Sequence, residues 1–398
     1  MMKGFLRSDG RKGIRNIVLV TYLVECAHHV ARSIVNKSDS DSVQLIGFPG
    51  CYPNEYSLKI MEGLCTHPNV AGVLIVSLGC EGFNREQLAN TVEGSGRAVE
   101  TLVIQKSGGT KKSIQAGLDR IDELLIEAGK FKMVPMGLNE LVVGTICGGS
   151  DGTSGIGANP AVGHCFDRLI EQDAICMFEE TGELIGCEQI MAERAITPEL
   201  GEEIMKSVEK AEQYYTQMGY GSFAPGNAEG GLSTQEEKSM GAYAKSGSSK
   251  IHGLIKPGDI PSQGGLYLMD VVPDGDPMFG FPNIVDSAEI VEMIASGSHI
   301  ILFTTGRGSV VGSAISPVIK VCANPETYDN LSDDMDINAG KVIKGELTVE
   351  QSGNEIYDLV IQVAKGEQSK SEELGHQEFV LTYKKFEGIG PSCLPTVR

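Results

Sequence analysis

The sequence lacks the features of several protein classes. It has no tryptophan, and no apolar run comes near the roughly 18 residues that a membrane-spanning helix needs. The amino-terminal segment Met1–Arg11 is too polar for a signal peptide. Basic residues are scarce, since 33 Lys and Arg stand against 53 Asp and Glu, a formal net charge of −20. Such a surface repels phosphate backbones and anionic lipids, so we expect a cytoplasmic protein that binds neither nucleic acid nor membrane.

The chain also lacks any C-x-x-C pair, although it contains ten cysteines. A zinc ribbon or a ferredoxin-type site is therefore disfavoured. In a large chain with no export signal, so many cysteines favour free thiols, ligands or nucleophiles over a disulfide framework. Fifty glycines indicate tight turns in which the backbone can approach a ligand closely.

What the sequence does have is an alternation of apolar strands and amphipathic helices. This pattern predicts an α/β fold in two regions, each built on a mainly parallel sheet flanked by helices. We expect residues 1–135 to form a Rossmann-like domain and residues 136–398 a larger catalytic domain, joined by a linker at Gly129–Asn139. The strands predicted for the first region are Ile17–Val24, Val43–Phe48, Ala71–Leu78 and Thr101–Gln105.

The second region opens with a predicted strand at Leu141–Ile146. Its later predicted strands are Leu266–Val271, His299–Phe303 and Pro317–Val321. The predicted helices are Ala161–Glu171, a long one from Cys187 to Met218, and Val349–Ala364. Two Gly/Ser-rich stretches, Gly219–Ser233 and Ser246–Gly265, are predicted to be ordered loops around a site.

Three cysteines stand next to glycine just after predicted strands. They are Cys51, Cys80 and Cys147, and Cys26 follows the first strand in a similar way. Because the carboxyl ends of parallel strands meet at one edge of a sheet, these thiols are expected to converge. The adjacent glycines leave room for a metal ion or an iron–sulfur cluster. The alternatives are an ordinary buried small hydrophobe and a catalytic thiol, although no histidine sits in a partnering motif.

The segment Gly306-Arg307-Gly308-Ser309 follows the predicted strand that ends near Thr305. Glycines allow backbone N–H groups to form an anion-binding nest, and arginine offers a planar fork for a carboxylate. We predict that Arg307 binds the substrate carboxylate, with Thr305, Ser309 and Asn227 ordering its hydroxyls. A structural turn and a phosphate site are the alternatives. The strict dinucleotide fingerprint is absent, because the third glycine, Gly312, comes one residue too late.

Four acidic or basic residues are candidates for proton transfer. Glu179 and Glu180 follow the apolar run Ile175–Phe178, where a carboxylate can act as a base, although a solvated surface is an alternative. Lys238 is predicted to lie on a helix after the first Gly/Ser-rich loop, and Asp151 lies in a glycine-rich stretch. None of them sits in a motif that fixes its role, and the histidines offer no better choice.

The segment from Asp334 to Gly340 superficially looks like a calcium loop. Its glycine comes one position late, and Gly345 stands where the twelfth-position glutamate belongs, so an EF-hand is excluded. Its polar oxygens can still cap a helix or reach a site. We therefore include Asn338 among the candidate substrate ligands, together with Ser150 of the glycine-rich stretch.

Several strings taken together resemble the altronate and galactarate dehydratase family of sugar-acid hydro-lyases. They are Gly10–Asn16, Leu78–Glu81, Cys147–Gly152, Ala158–Ala161, Pro225–Asn227, Thr304–Ser309 and Met335–Gly340. The resemblance extends over nearly the whole chain. It implies iron-dependent removal of water from a six-carbon acid such as altronate or galactarate, giving a 2-keto-3-deoxy acid. On this basis the metal at Cys51, Cys80 and Cys147 is predicted to be iron, as a single Fe²⁺ or a labile cluster, with Cys26 as the candidate fourth ligand.

Two departures from the family pattern matter. Longer members carry an N-terminal small β domain, whereas this sequence starts directly at Gly4-Phe5-Leu6-Arg7. We therefore expect that module as a separate small subunit, and we also expect a homo-oligomer. Where many members have histidine shortly before the cysteine matching Cys51, this sequence has Phe48-Pro49-Gly50, which leaves the identity of the sugar acid open.

Three alternatives to a dehydratase stay open. A related branch, the sulfolactate sulfo-lyases, is also divided into small and large subunits and eliminates sulfite. As the resemblance presents itself, that branch lacks the thiols matching Cys51 and Cys80, so we prefer the dehydratase. A nucleotide-binding dehydrogenase is compatible with the fold alone, and a noncatalytic iron–sulfur scaffold would not need Arg307 or Asn227 in open loops.

Overall fold

The structure, a computed structural model, describes residues 2–179, 181–219, 225–275, 285–381 and 384. Within these residues the chain divides into two compact units, the first built mainly from Gly4–Val134 and the second mainly from Pro135–Glu378. Both units contain parallel strands flanked by helices, which confirms the predicted α/β class. No helix in the described ranges is both long and apolar enough to cross a membrane.

The first unit carries a parallel sheet with strand order β4-β3-β5-β6 in its described part, and β1 pairs antiparallel with β2. Its strands are β1 (Lys3–Leu6), β2 (Lys12–Gly13), β3 (Ile17–Tyr22), β4 (Val43–Gly47), β5 (Val70–Ser77), β6 (Ala98–Val103) and β7 (Met133–Pro135). Its helices are α1 (Glu25–Lys37), α2 (Glu55–Cys65), α3 (Arg85–Gly94), α4 (Ile104–Ser107) and α5 (Thr110–Ala128).

The core of this unit explains why β5 is the clearest strand in the sequence. All eight of its residues are buried, because helices cover the sheet on both sides. Leu74 and Val76 belong to the same apolar cluster as Ile34 of α1 and Leu124 of α5. Each such side chain contributes about 1.5 to 3 kcal/mol when it is removed from water.

The second unit contains the longer sheet and the remaining elements. Its strands are β8 (Val142–Cys147), β9 (Ile175–Phe178), β10 (Ile251–Ile255), β11 (Gly265–Met269), β12 (Ile300–Thr305), β13 (Val318–Cys322) and β14 (Ile337–Asn338). Its helices are α6 (Ala158–Ile170), α7 (Glu188–Ala192), α8 (Pro198–Met218), α9 (Pro225–Glu229), α10 (Gln235–Ala244), α11 (Asp286–Ala295), α12 (Pro325–Asn330), α13 (Gly340–Ile343), α14 (Val349–Ala364) and α15 (Lys370–Glu373). Two 3₁₀ turns lie at Leu138–Glu140 and Thr181–Leu184.

The sheet of the second unit has a switch point in its strand order. In the described residues the order is β10-β11-β9-β8-β12-β13-β14, and every neighbouring pair is parallel. The chain leaves β8 towards β9 on one side and later returns to β12 on the other side. Ligands of open parallel sheets bind at the carboxyl edge beside such a reversal. Cys147 pairs with Thr304 across it, so the switch point lies between the ends of β8 and β12.

Several element predictions were wrong in detail. The predicted loop Ser246–Gly265 contains the edge strand β10, which is short and interrupted by Gly253, so its apolar pattern is weak. The predicted helix from Cys187 to Met218 is two helices, because Thr197 caps a new helix that has Pro198 in its first position. The predicted loop Gly219–Ser233 contains α9, and its residues 220–224 lie outside the described part of the chain.

Candidate active site

Cys147 is the last residue of β8, and its sulfur lies in a cluster of polar side chains. Lys238 Nζ is 3.1 Å from Cys147 Sγ and 3.1 Å from Ser150 Oγ. The Ser150 hydroxyl is 3.2 Å from the same sulfur, and Glu183 Oε2 is 3.3 Å from it. Lys238 also forms an ion pair with Glu183. A thiol, an amine, a hydroxyl and a carboxylate therefore contact one another at the end of one strand. We call these four residues the Cys147 cluster.

Local sequence signals place Lys238 in this cluster. Thr234 caps helix α10 by accepting a hydrogen bond from Glu237 N at 3.2 Å, and the Glu237 carboxylate accepts from Ser233 N at 2.8 Å. These bonds fix the first turn of α10, from which Lys238 extends inward. Only 3% of Lys238 is exposed, which is unusual for lysine and requires the paired carboxylate. The prediction that this lysine is presented by a helix after a loop is confirmed.

Asp151 orders the loops at the switch point. Its carboxylate accepts hydrogen bonds from Thr153 N at 2.9 Å, Thr153 Oγ1 at 2.5 Å, Ser154 Oγ at 3.3 Å and Asn324 Nδ2 at 3.0 Å. Asn324 follows β13, so Asp151 joins two strand-end loops. A carboxylate with this many donors is well suited to positioning, and its predicted role as a base stays a prediction.

Arg307 follows β12 on the other side of the switch point. Its backbone N–H donates to Gly149 O at 2.8 Å, which ties the β12 loop to the β8 loop. Its Nη1 donates to Gly226 O at 2.6 Å, and its Nη2 lies 3.7 Å from Glu229 Oε2. The side chain is 41% exposed. Among the residues that the structure describes, the guanidinium thus keeps N–H donors available beside α9, as a carboxylate-binding role requires.

The hydroxyls of Thr305 and Ser309 are engaged in the same loop. Thr305 Oγ1 accepts from Gly308 N at 2.9 Å and lies 3.5 Å from Gly149 O, and Ser309 Oγ accepts from Val311 N at 3.2 Å. Both side chains therefore stabilise the turn that carries Arg307. Their predicted contact with substrate hydroxyls stays a prediction.

The two candidate asparagines lie on different elements. Asn227 is half-buried in α9, and its backbone carbonyl accepts from Leu232 N at 3.2 Å. Asn338 ends β14, and in the described part of the structure its buried Oδ1 has no hydrogen-bond partner. Just before β14, the Asp336 carboxylate accepts from Lys320 N of β13 at 2.7 Å and from Lys370 N of α15 at 2.9 Å, so it ties these two elements to the start of β14.

A cavity of about 340 Å³ lies next to the Cys147 cluster. Its polar lining includes Ser150, Asp151, Asn159 and Lys238, and its apolar lining includes Ile156, Leu232 and Met240. Asn159 donates to Gly241 O at 2.9 Å, while its buried Oδ1 has no partner among the described residues. Small-molecule sites have volumes of about 300 to 1,000 Å³. The cavity is therefore large enough for a small molecule.

A second group of carboxyls lies close to the cluster. Glu179 follows β9 and is 1% exposed, whereas Glu180 lies outside the described residues. Asp286 begins α11, and a Cβ on Gly148 would lie 2.0 Å from Asp286 Oδ2, so this carboxyl touches the backbone next to Cys147. Burial raises the pKa of Asp286 to about 6, and the charge of Glu183 adds to the rise. A neutral carboxyl is thus available near pH 6, as general acid catalysis requires.

The acidic surroundings extend to a buried tyrosine. Burial raises the pKa of Tyr215 well above its ordinary value, and the charges of Glu289, Glu183 and Glu179 raise it further. The Tyr215 hydroxyl therefore stays protonated at any working pH. It can donate a hydrogen bond but cannot serve as a base.

Replacing Asp286 with asparagine should stabilise the fold at neutral pH. The pKa of this carboxyl rises from 3.8 to about 6 on folding. Folding is therefore disfavoured progressively as pH rises from about 3.8 to 6, and the full cost, about 2 to 3 kcal/mol, applies above pH 6. We expect Asp286→Asn to raise the free energy of unfolding by up to that amount at pH 7.5 and to have little effect at pH 3.5. Urea unfolding at both pH values measures this, and an equal change at both would contradict it.

The other candidate metal ligands lie in the first unit. Cys26, Cys51 and Cys80 follow β3, β4 and β5, and all three are exposed. Gly82 N donates to Cys51 O at 2.8 Å, so the loops that carry Cys51 and Cys80 touch. Within the described ranges, no three His, Cys, Asp or Glu side chains are close enough together to hold a metal ion.

The donor types decide how well these residues suit iron. Thiolates are ligands that iron prefers, so the exposed thiols of Cys51 and Cys80 suit it. Cys147 suits it less well, because a cation at its sulfur would have to displace the Lys238 amino group at 3.1 Å. The prediction of iron at these cysteines stays a prediction.

Sequence reasoning missed two groups that the structure brings to the cluster. Glu183 lies in the Thr181–Leu184 turn, only a few residues beyond Glu179, so the acidic stretch after β9 was a usable signal. Asp286 had no such signal, because it lies more than a hundred residues from Cys147 and reaches it only through the placement of α11.

Comparison with known proteins identifies two family models. The model described as "D-galactarate/Altronate dehydratase, C-terminal" matches residues 138–386, more than half of the chain. The model described as "D-galactarate dehydratase/Altronate hydrolase, second domain" matches residues 4–129. Together they cover both units.

Individual relatives point the same way. The chain is 30% identical over 393 residues to (2R)-sulfolactate sulfo-lyase subunit beta of Chromohalobacter salexigens, covering 95% of this chain and 96% of that subunit. It is 30% identical to altronate dehydratase of Bacillus subtilis, covering 95% of this chain and 77% of that enzyme. It is 29% identical to galactarate dehydratase (L-threo-forming) of Escherichia coli, covering 92% of this chain and 72% of that enzyme.

Proposed function

This chain is an enzyme of the D-galactarate/altronate dehydratase family, and on that premise we propose that it removes water from a sugar acid such as altronate or galactarate. The product would be a 2-keto-3-deoxy acid. The observation that carries this proposal is the Cys147 cluster, which places a buried lysine and its carboxylate partner beside a cavity at the switch point.

The reaction requires a base and an acid. A base removes the proton on C2, next to the carboxylate, and the C3 hydroxyl leaves as water when an acid protonates it. The resulting enol takes a proton at C3 and becomes the ketone. The overall change is loss of one water molecule, so no oxidant or reductant is consumed.

Lys238 and Glu183 are suited to the first step. In this proposal Lys238 passes its ammonium proton to Glu183, which contacts it, and the neutral amine takes the C2 proton. The ammonium formed in this way then stabilises the negative charge that develops on the substrate. Asp286, whose pKa of about 6 leaves a neutral fraction near neutral pH, is the candidate acid for the departing hydroxyl.

Arg307 is proposed to bind the substrate carboxylate. A lysine cannot reproduce its planar fork. We expect Arg307→Lys to lower kcat/KM by about 10- to 150-fold, corresponding to loss of a charge-assisted pair of about 1.5 to 3 kcal/mol. Steady-state kinetics on the true substrate measure this, with Lys250→Arg as a control at an exposed position. Unchanged kinetics in Arg307→Lys would exclude this role.

The proposal also includes iron, which the cysteines of the first unit would bind. A bound iron would supply a Lewis acid that polarises a substrate oxygen. We expect protein purified without air to contain iron, and Cys80→Ser to lose most of it. Metal analysis and assay of acid-labile sulfide measure this, with the buried Cys65→Ser as the matched control. If neither iron nor sulfide is present, or Cys80→Ser keeps its full metal content, the prediction fails.

The direct test of function is a substrate screen. The chain is incubated with altronate, galactarate and related acids, and formation of a 2-keto-3-deoxy acid is followed. Nicotinamide binding is measured in parallel, because a dehydrogenase would bind it and a dehydratase would not need it. Absence of product from every acid, with protein that is folded and iron-loaded, would refute the dehydratase.

A second candidate rests on the similarity to the sulfo-lyase subunit, which is as high as that to the dehydratases. The chemistry is parallel, because removal of the C2 proton of sulfolactate can expel sulfite from C3. We therefore include sulfolactate in the screen and measure sulfite release. Sulfite release without dehydration of any sugar acid would favour this candidate.

That relative is named as a subunit, which supports the proposal that this chain works with a small partner. Co-purification from the native source and assay with and without any small companion test it. Full activity of the isolated chain would show that no partner is needed. Light scattering of the same preparation tests the expected homo-oligomer.

A further inference from the structure

Cys147 contacts the Lys238 amine, although the proposed elimination gives the Cys147 sulfur no role of its own. Their Sγ and Nζ atoms lie 3.1 Å apart, which is contact distance, and the two residues are 2% and 3% exposed. Ser150 and Glu183 border the pair on other sides. A sulfur oxidised in this position would have an amine as its immediate neighbour.

We propose that peroxide converts this pair into a reversible covalent sulfur–nitrogen link. In the first step the Cys147 sulfur attacks hydrogen peroxide, its S–H becomes S–OH, and one water is released. In the second step the Lys238 nitrogen attacks that sulfur, forming an S–N bond while the S–O bond breaks and a second water leaves. Sulfur is oxidised and peroxide is reduced. Sulfenic acids are known to condense with a backbone nitrogen, and here the Lys238 amine would take the place of that nitrogen.

Glu183 balances the protons of the second step. An attacking amine needs a free electron pair, so the ammonium proton of Lys238 must leave first. Glu183 Oε2 contacts Lys238 and can accept it. The hydroxyl of Ser150 lies 3.2 Å from the sulfur, where it can donate to the departing oxygen. The groups that the link needs are therefore present.

The route for peroxide is the cavity beside the pair, which Lys238 lines and from which the Ser150 hydroxyl, 3.2 Å from the sulfur, separates Cys147. The cavity of about 340 Å³ is bordered by Ser150 and Lys238, and hydrogen peroxide is little larger than water. Cys187 is also buried, but its sulfur faces Met240 Sδ at 3.7 Å, and burial raises its pKa to about 11. It has the burial of Cys147 with a thioether in place of the amine. It is therefore the matched control.

The link would switch the enzyme off, because it consumes the amine that the elimination uses. This consequence rests on the proposed function, whereas the link itself does not. Thiols would reverse it by reducing the S–N bond, restoring both side chains. The structure thus assigns the site an inactive state that peroxide forms and thiols reverse.

Mass spectrometry of peptides tests whether the link forms. The full chain is treated with hydrogen peroxide, its free thiols are alkylated, and its peptides are analysed. We expect a Cys147–Lys238 cross-linked peptide pair whose mass is that of the two peptides less two hydrogen atoms, and its disappearance after dithiothreitol. The link should persist in Cys187→Ser and be absent in Cys147→Ser and in Lys238→Arg, which keeps the charge but offers a poor nucleophile.

Two results would overturn the inference. One is Cys147 in the wild-type chain recovered as sulfinic or sulfonic acid with Lys238 unlinked, and the other is an unmodified Cys147. Because this readout uses the wild-type chain, it stands even if a variant fails to fold. It is also independent of the substrate, since a link in a chain that dehydrates no acid would retain the inference and reject the proposed function.

Discussion

Lys238→Met should lower kcat for dehydration by about 1,000-fold, within the roughly 10²- to 10⁴-fold range of general acid–base catalysis. The methionine fills a similar volume but can neither take nor hold a proton. KM should change much less, because substrate binding in the proposal relies on Arg307. Stopped or discontinuous assays of the 2-keto-3-deoxy acid measure kcat, and a primary amine such as ethylamine should partly rescue Lys238→Ala.

Controls separate catalysis from folding in this experiment. Lys250 is exposed, and its Nζ lies 3.4 Å from Glu193 O, far from the groups of the Cys147 cluster in the contacts of the described residues, so Lys250→Met should keep nearly full activity. Glu183→Gln should be impaired as well, because it loses the acceptor for the Lys238 proton. A folded Lys238→Met enzyme with kcat within a few fold of wild type would show that another group removes the proton.

The fold was predictable where local pattern and burial agree. The continuous apolar run of β5 and the capped, periodic helix α14 have clear signals, and α14 has the predicted bounds Val349–Ala364. β10 and α9 were missed because they are short and lie in Gly/Ser-rich sequence, where pairing or packing decides the conformation. The strand order could not be predicted from the sequence either, since it depends on contacts between distant segments.

The candidate site was predictable to the extent that strand ends define it. Cys147, Thr305 and Arg307 follow predicted strands, and parallel pairing brings them to one edge. The partners of Lys238 were not predictable, because Glu183 and Cys147 meet it only when α10 packs over the end of β8. The same reasoning grouped Cys147 with Cys51 and Cys80, because a sequence shows which strand a thiol follows. It does not show which sheet that strand joins, and in the structure β8 belongs to a different sheet from β4 and β5.

Gly306→Ala should lower the activity by displacing the loops at the switch point, although it removes no functional group. A Cβ at this position would lie 2.0 Å from Asp151 Oδ1 and 2.2 Å from its Cγ, far inside contact distance. The carboxylate cannot easily withdraw, because Thr153, Ser154 and Asn324 hold it. The β12 loop must therefore move, and the hydrogen bonds from Gly306 N and the next residue to the β8 loop should weaken.

We expect Gly306→Ala to lower kcat/KM by at least about 100-fold, since displacement of a site by about 1 Å can cost that much. Overpacking should also lower the free energy of unfolding by about 1 to 3 kcal/mol. Gly226→Ala is the matched control, because a Cβ there would meet no atom of the described residues within 4 Å. Kinetics and urea unfolding of both variants measure these effects. If Gly306→Ala and Gly226→Ala both keep the wild-type kcat/KM, the loop that carries Arg307 does not position the substrate. The sugar acid must then bind elsewhere along the sheet edge.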